Sequence, residues 1–128
     1  MNIEEKNIIN YLLNLSETQN LINQAIKNCK KIIFSDEVDI QEYYDCKVVD
    51  KKRFTKNDII IEFYSQSLYF NHSSYDNSVE PVVFFDTRLI MLTNKTIMDS
   101  NDKFHEIGYY RLLTKLNGEL HNYFFVLE

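Results

Sequence analysis

Apolar positions change their period once along this chain. From Ile3 to Ile33 they recur every three or four residues, and beyond Asp58 they gather into runs of strand-forming residues. In the first stretch Ile8, Ile9, Leu12, Leu13 and Leu15 fall at helical spacing, Asn2 stands where an N-cap belongs, and Glu5 is at the third helical position. Ser16-Glu17-Thr18-Gln19 matches a capping box, so a second helix or a kink is expected to begin near Ser16. Leu21, Ile22, Ala25, Ile26, Cys29, Ile32 and Ile33 then form one stripe, with Asn20, Asn23, Lys27, Lys30 and Lys31 opposite it. The late lysines suit the negative end of the helix dipole. This stripe predicts a helix that covers a core.

The strand-like half begins with Asp58 to Phe70, rich in Ile, Phe and Tyr. Strict alternation puts Phe63, Ser65, Ser67 and Tyr69 on one face and Tyr64, Gln66, Leu68 and Phe70 on the other. Polar residues 71–78 read as a loop. Val79 to Leu92 holds two apolar runs parted by Asp86-Thr87-Arg88, which predicts a bend, a bulge or two shorter strands, with Pro81 at the strand's beginning or edge. Residues 93–106 are again polar. The last stretch, Ile107 to Leu127, has Asn117-Gly118 between two apolar runs, the sequence sign of a two-residue type I′ hairpin. That loop length sets Leu116 against Glu119, Leu112 against Tyr123 and Tyr110 against Phe125. One face then carries Tyr110, Leu112, Leu116, Tyr123, Phe125 and Leu127, and the other Ile107, Tyr109, Leu113, Leu120, Phe124 and Val126. Both are apolar, so both are expected to be covered, by this chain or by a partner. Helices followed by about four strands predict an α+β fold, with N-terminal helices packed on a curved antiparallel sheet that ends in the C-terminal hairpin.

Composition narrows this picture. A chain of 128 residues, 45% hydrophobic and 14% aromatic, is read as one globular domain, residues 1–128, with no Gly- or Ser-rich linker. The formal charge of -5 argues against nucleic acid or an anionic membrane as partner and favours a basic protein. The N-terminus lacks a basic region followed by an apolar run, and the longest apolar runs are too short to span a bilayer, so a cytoplasmic location is expected. Cys29 and Cys46 are then read as reduced thiols.

Candidate chemistry changes little. His72, near Asp76, and His105, between Asp102 and Glu106, lack metal-ligand spacing. His121 is expected within a strand, facing Thr114. Cys29 lies on a packing stripe, and Cys46 has no activating His or second Cys nearby. Ser65 and Ser67 lack the glycines of a nucleophile elbow, and two glycines are too few for a phosphate loop. No enzyme, metal or cofactor is expected.

Interaction chemistry remains. The segment Asp36 to Asp45 packs five carboxylates into ten residues, with Ser35 or Asp36 able to cap a short helix, and the basic run Lys51-Lys52-Arg53 follows. Such a charge run is ordinarily a solvated turn. Asp36, Glu37, Asp39, Glu42, Tyr43, Tyr44 and Asp45 nonetheless combine steering carboxylates with aromatic anchors, and they form the candidate partner-binding set.

The run I-G-Y-Y-R-L-L-T-K-L-N-G-E-L-H-N-Y-F-F resembles the C-terminal hairpin of small bacterial immunity proteins with a nuclear-transport-factor-2-like (cystatin-like) fold. Gly108, Tyr109, Tyr110, Gly118, Glu119, Phe124 and Phe125 match, while His121-Asn122 replaces an acidic pattern. The resemblance implies a protein that binds and neutralises a cognate toxin, as in contact-dependent and polymorphic toxin systems. The alternative is a small-ligand-binding or enzymatic protein of the same fold, with Tyr64, Tyr69, Tyr110 and Phe125 lining an inner pocket.

Overall fold

The computed structural model describes residues 2–39, 55–71, 82–93 and 105–128. Two helices, α1 (Ile3–Gln19) and α2 (Leu21–Ile33), precede four strands: β1 (Ile60–Asn71), β2 (Val82–Thr93), β3 (His105–Lys115) and β4 (Leu120–Leu127). The strands form an antiparallel meander in the order β1-β2-β3-β4, with a short 3₁₀ turn at Lys56–Asp58 leading into β1. The fold is α+β, two helices packed against one face of a four-stranded sheet.

Local sequence explains the helix start. Asn2 caps α1, its Oδ1 accepting from the Glu5 backbone N–H at 2.8 Å. The capping box at Ser16 does not form; α1 runs straight through it to Gln19. The chain breaks instead at Asn20, whose left-handed backbone (φ 53) ends α1 and opens α2. Ser16 is buried, and its side chain hydrogen-bonds the Gln66 side chain of β1 at about 3 Å, with Gln66 Nε2 also donating to Thr87 Oγ1 at 3.2 Å. A hydroxyl held by a strand fifty residues on has no call to cap a helix. The α2 stripe is as read: Leu21, Ala25, Cys29 and Ile33 are buried, with Ile26 and Ile32 packed beside them. Beyond α2 the chain turns; Ser35 Oγ donates to Ile32 O, and no helix follows within 34–39.

The sheet's near face, toward the helices, carries Leu89, Met91, Ile107, Tyr110 and Leu112 against Ala25, Cys29 and Ile33. Burial of this apolar cluster favours folding by about 25 cal/mol per Å² removed from water. Each of the three strand pairings contains one bulge, and each bulge corrects a face read by strict alternation. Tyr64 is the extra residue of β1, so Phe63 shares the near face with Gln66, Leu68 and Phe70, while Tyr64 joins Ser65, Ser67 and Tyr69 on the far face. The irregularity expected within Asp86-Thr87-Arg88 thus lies on β1 opposite it, and β2 is one continuous strand. Ile107 is extra in β3 and turns into the core, and His121 is extra in β4, which puts Leu120 on the near face.

The hairpin is likewise corrected in detail. Gly118 has φ +88 but Asn117 does not have positive φ, which rules out type I′. Gly118 N–H donates to Lys115 O and Lys115 N–H to Glu119 O, enclosing the three-residue loop Leu116-Asn117-Gly118. Lys115, rather than Leu116, therefore stands against Glu119. The His121 bulge then absorbs the extra loop residue, restoring Leu112 to Tyr123 and Tyr110 to Phe125.

Candidate functional site

Of the expected partner-binding residues, Asp36, Glu37 and Asp39 follow α2 and are exposed. Glu42, Tyr43, Tyr44 and Asp45 lie outside the described residues, as do Cys46, the basic run at 51–53 and His72. The aromatic pocket expected from Tyr64, Tyr69, Tyr110 and Phe125 is not assembled. Tyr110 and Phe125 pack on the near face, and Tyr64 and Tyr69 stand on the far one. The bulge in β1 and the pleat divide them.

A different cluster emerges on the far face. Register sets Ser65, Arg88, Arg111 and Phe124 in one row across all four strands, so two arginines are direct cross-strand neighbours. Like charges in that position oppose pairing. The conflict is resolved sideways. Arg111 swings toward the next row and grips Asp86, with Nη2 and Nε donating to Oδ2 at 2.6 and 3.1 Å. Those hydrogen bonds hold the Arg111 guanidinium above its ordinary pKa, against the smaller opposing effect of burial. Its other face lies 5.3 Å from the Phe124 ring.

Arg88 turns instead to aromatic rings. Its guanidinium carbon lies 4.5 Å from the Tyr109 centroid and 5.6 Å from that of Tyr64. Arg88 Nε is buried with no hydrogen-bond partner among the described residues. At the hairpin end, His121 stacks on Phe84 at 4.1 Å between centroids, and Tyr69 lies on the other side of Phe84 at 6.4 Å. His121 therefore faces Phe84, not Thr114, because the bulge turns it outward. The far face thus presents arginines held by rings and by one carboxylate, framed by the exposed rings of Tyr64, Tyr69 and Phe124.

Sequence reading missed Arg88 and Arg111 because each looked like an interruption of an apolar run. The signal available was their position: a charge in mid-strand among apolar neighbours, which only the β2–β3 register turns into a pair. No group of three metal-ligating side chains occurs among the described residues. Cys29 is fully buried, and burial pushes its thiol up to about 12. Clefts lie on the helix side. One of about 140 Å³ between α1 and β1 is floored by Leu68 and Phe85, and one of about 630 Å³ by the end of α2 has Lys30 and Lys56 beside Ile33 and Phe34. No helix among the described residues is long and apolar enough to cross a membrane. Comparison with protein-family models, curated proteins and solved structures returned no match to this chain.

Proposed function

We propose that this protein is an immunity protein, which binds a cognate bacterial toxin domain stoichiometrically and occludes it without chemistry of its own. The observation that carries the reading is the Tyr64–Arg88–Tyr109 stack beside Asp86–Arg111 on the far face. Arginine and tyrosine are the side chains that dominate binding energy at protein interfaces, and these are pre-positioned by rings and a bidentate ion pair. The C-terminal hairpin resemblance supplies the class of partner, and the net charge of -5, with Asp36, Glu37 and Asp39 exposed, favours a basic toxin. In this reading the acidic residues steer and the far face anchors.

The test is to look for a toxin domain encoded beside the gene and to co-express it with this chain, scored by survival and by binding kinetics on the purified pair. Wild type is expected to protect. Arg88→Ala is expected to raise the dissociation rate by roughly tenfold or more. Asp36→Lys with Asp39→Lys is expected mainly to slow association and flatten its salt dependence. Failure of wild type to protect or to bind would overturn the reading.

A further inference from the structure

We infer that the near face carries a binding pocket for a small aromatic acid, a single ring bearing a carboxylate, between α2 and the β3–β4 hairpin. It lies on the opposite side of the sheet from the arginine row, so it does not rest on the toxin reading. The pocket has a volume of about 220 Å³, opens to solvent, and is lined by Asn28, Lys31 and Ile32 of α2 with Tyr110, Leu120 and Tyr123 of the hairpin. Helical spacing brings the first three together, because positions i, i+3 and i+4 share one side of a helix, here beside the stripe that packs on the sheet. Register brings the other three together. Tyr123 stands opposite Leu112 and is thus the diagonal neighbour of Tyr110, and the His121 bulge turns Leu120, opposite Thr114, to the same face.

The lining selects the ligand. Lys31 is its one charged residue, exposed and with no carboxylate partner among the described residues. The helix dipole accounts for lysines near the end of α2, but not for the apolar walls beside this one. Leu120 is 54% exposed and Tyr123 50%, with Ile32 half-buried on the helix side. The Tyr123 ring stacks on Tyr110 with 6.2 Å between centroids and 28° between planes, so the wall it offers is flat and already positioned. Tyr110 is 1% exposed, and its hydroxyl is hydrogen-bonded to the Asn28 side chain. The pocket therefore has a polar but neutral base, apolar walls and one cation, the pattern of small-ligand sites, in which a few placed polar groups orient a mostly apolar body.

Size and charge narrow the class. At about 30 Å³ per water molecule the volume is that of about seven waters, room for one substituted ring. A neutral ring would leave Lys31 unanswered, and an inorganic anion would leave Leu120 and Tyr123 uncovered. A ring matches the Tyr123 wall better than a flexible chain does, because it has less freedom to lose on binding.

Titration of the ¹⁵N-labelled full chain with benzoate, followed by amide chemical shifts, tests the pocket. Saturable binding with a dissociation constant on the order of 1 mM or lower is expected, with shifts centred on Asn28, Lys31, Leu120 and Tyr123. Benzyl alcohol, the ring without the charge, and inorganic phosphate, the charge without the ring, are each expected to bind about fivefold more weakly or less. Lys31→Met is expected to weaken benzoate about fivefold and to leave benzyl alcohol unchanged, whereas Lys27→Met, the same charge change one turn earlier and outside the pocket, is expected to leave benzoate within about twofold. Far-UV circular dichroism confirms that both variants are folded. Absence of saturable binding at about 10 mM benzoate, shifts centred elsewhere, equal losses from the two lysine variants, or benzyl alcohol or phosphate binding as tightly as benzoate would each overturn the proposal.

Discussion

At the scale of single residues, the two glycines do different work. Gly108 is buried where β4 closes on β3, and a Cβ there would collide with the Val126 carbonyl oxygen and come within 3.1 Å of Leu127 Cα. Backbone cannot step aside as a side chain can, so Gly108→Ala is expected to cost on the order of 2–3 kcal/mol. Gly118 holds φ +88 at the hairpin, and its nearest neighbour is the flexible Gln19 side chain. Gly118→Val forces a β-branched residue into left-handed backbone and is expected to cost about 1–3 kcal/mol. Urea unfolding midpoints check both, and an unchanged midpoint for Gly108→Ala would mean that β4 does not approach as closely as described.

At the scale of elements, Ser16 shows how one contact joins a helix to the sheet. Its side chain is bound to Gln66, which also reaches Thr87, so α1, β1 and β2 share one polar bridge. Ser16→Ala and Gln66→Ala are therefore expected to be non-additive, with a coupling of roughly 0.5–2 kcal/mol in a double-mutant cycle. A helix-capping Ser16 would give a coupling near zero, since a cap bonds its own helix. Asn2 does cap, and Asn2→Ala is expected to cost about 1 kcal/mol, read from the same denaturation curves.

For the whole molecule, stability is expected to decline in alkali. Cys29 is raised from 9.0 to about 12, by burial, and Tyr110 from 10.0 to about 12, chiefly by burial and then by the neighbouring Cys29. Above the unfolded values the unfolded chain releases protons that the native chain retains. Stability contributed by these groups is thus complete below pH 9 and is lost as pH rises toward 12, at up to about 1.4 kcal/mol per pH unit for each group. Thermal unfolding followed from neutral pH into this window checks it, and a melting temperature flat across the window would contradict the burial of both groups.

What the sequence determined alone was whatever depends on neighbours close along the chain. The Asn2 cap, the α2 stripe and the α+β order follow from period and capping chemistry, whereas Leu112 meets Tyr123 and Tyr110 meets Phe125 only because the His121 bulge offsets the extra loop residue. The tertiary structure decided whatever depends on which strand lies alongside. Strict alternation has a period of two, and one bulged residue reverses every side chain after it. Three bulges therefore moved Tyr64, Ile107, Leu120 and His121 to faces that no local pattern indicates. Ser16 left its capping role for a partner fifty residues away. Arg88 and Arg111, twenty-three positions apart, became a row only through the β2–β3 register, and what holds them apart, Asp86 and the rings of Tyr64 and Tyr109, comes from three strands at once.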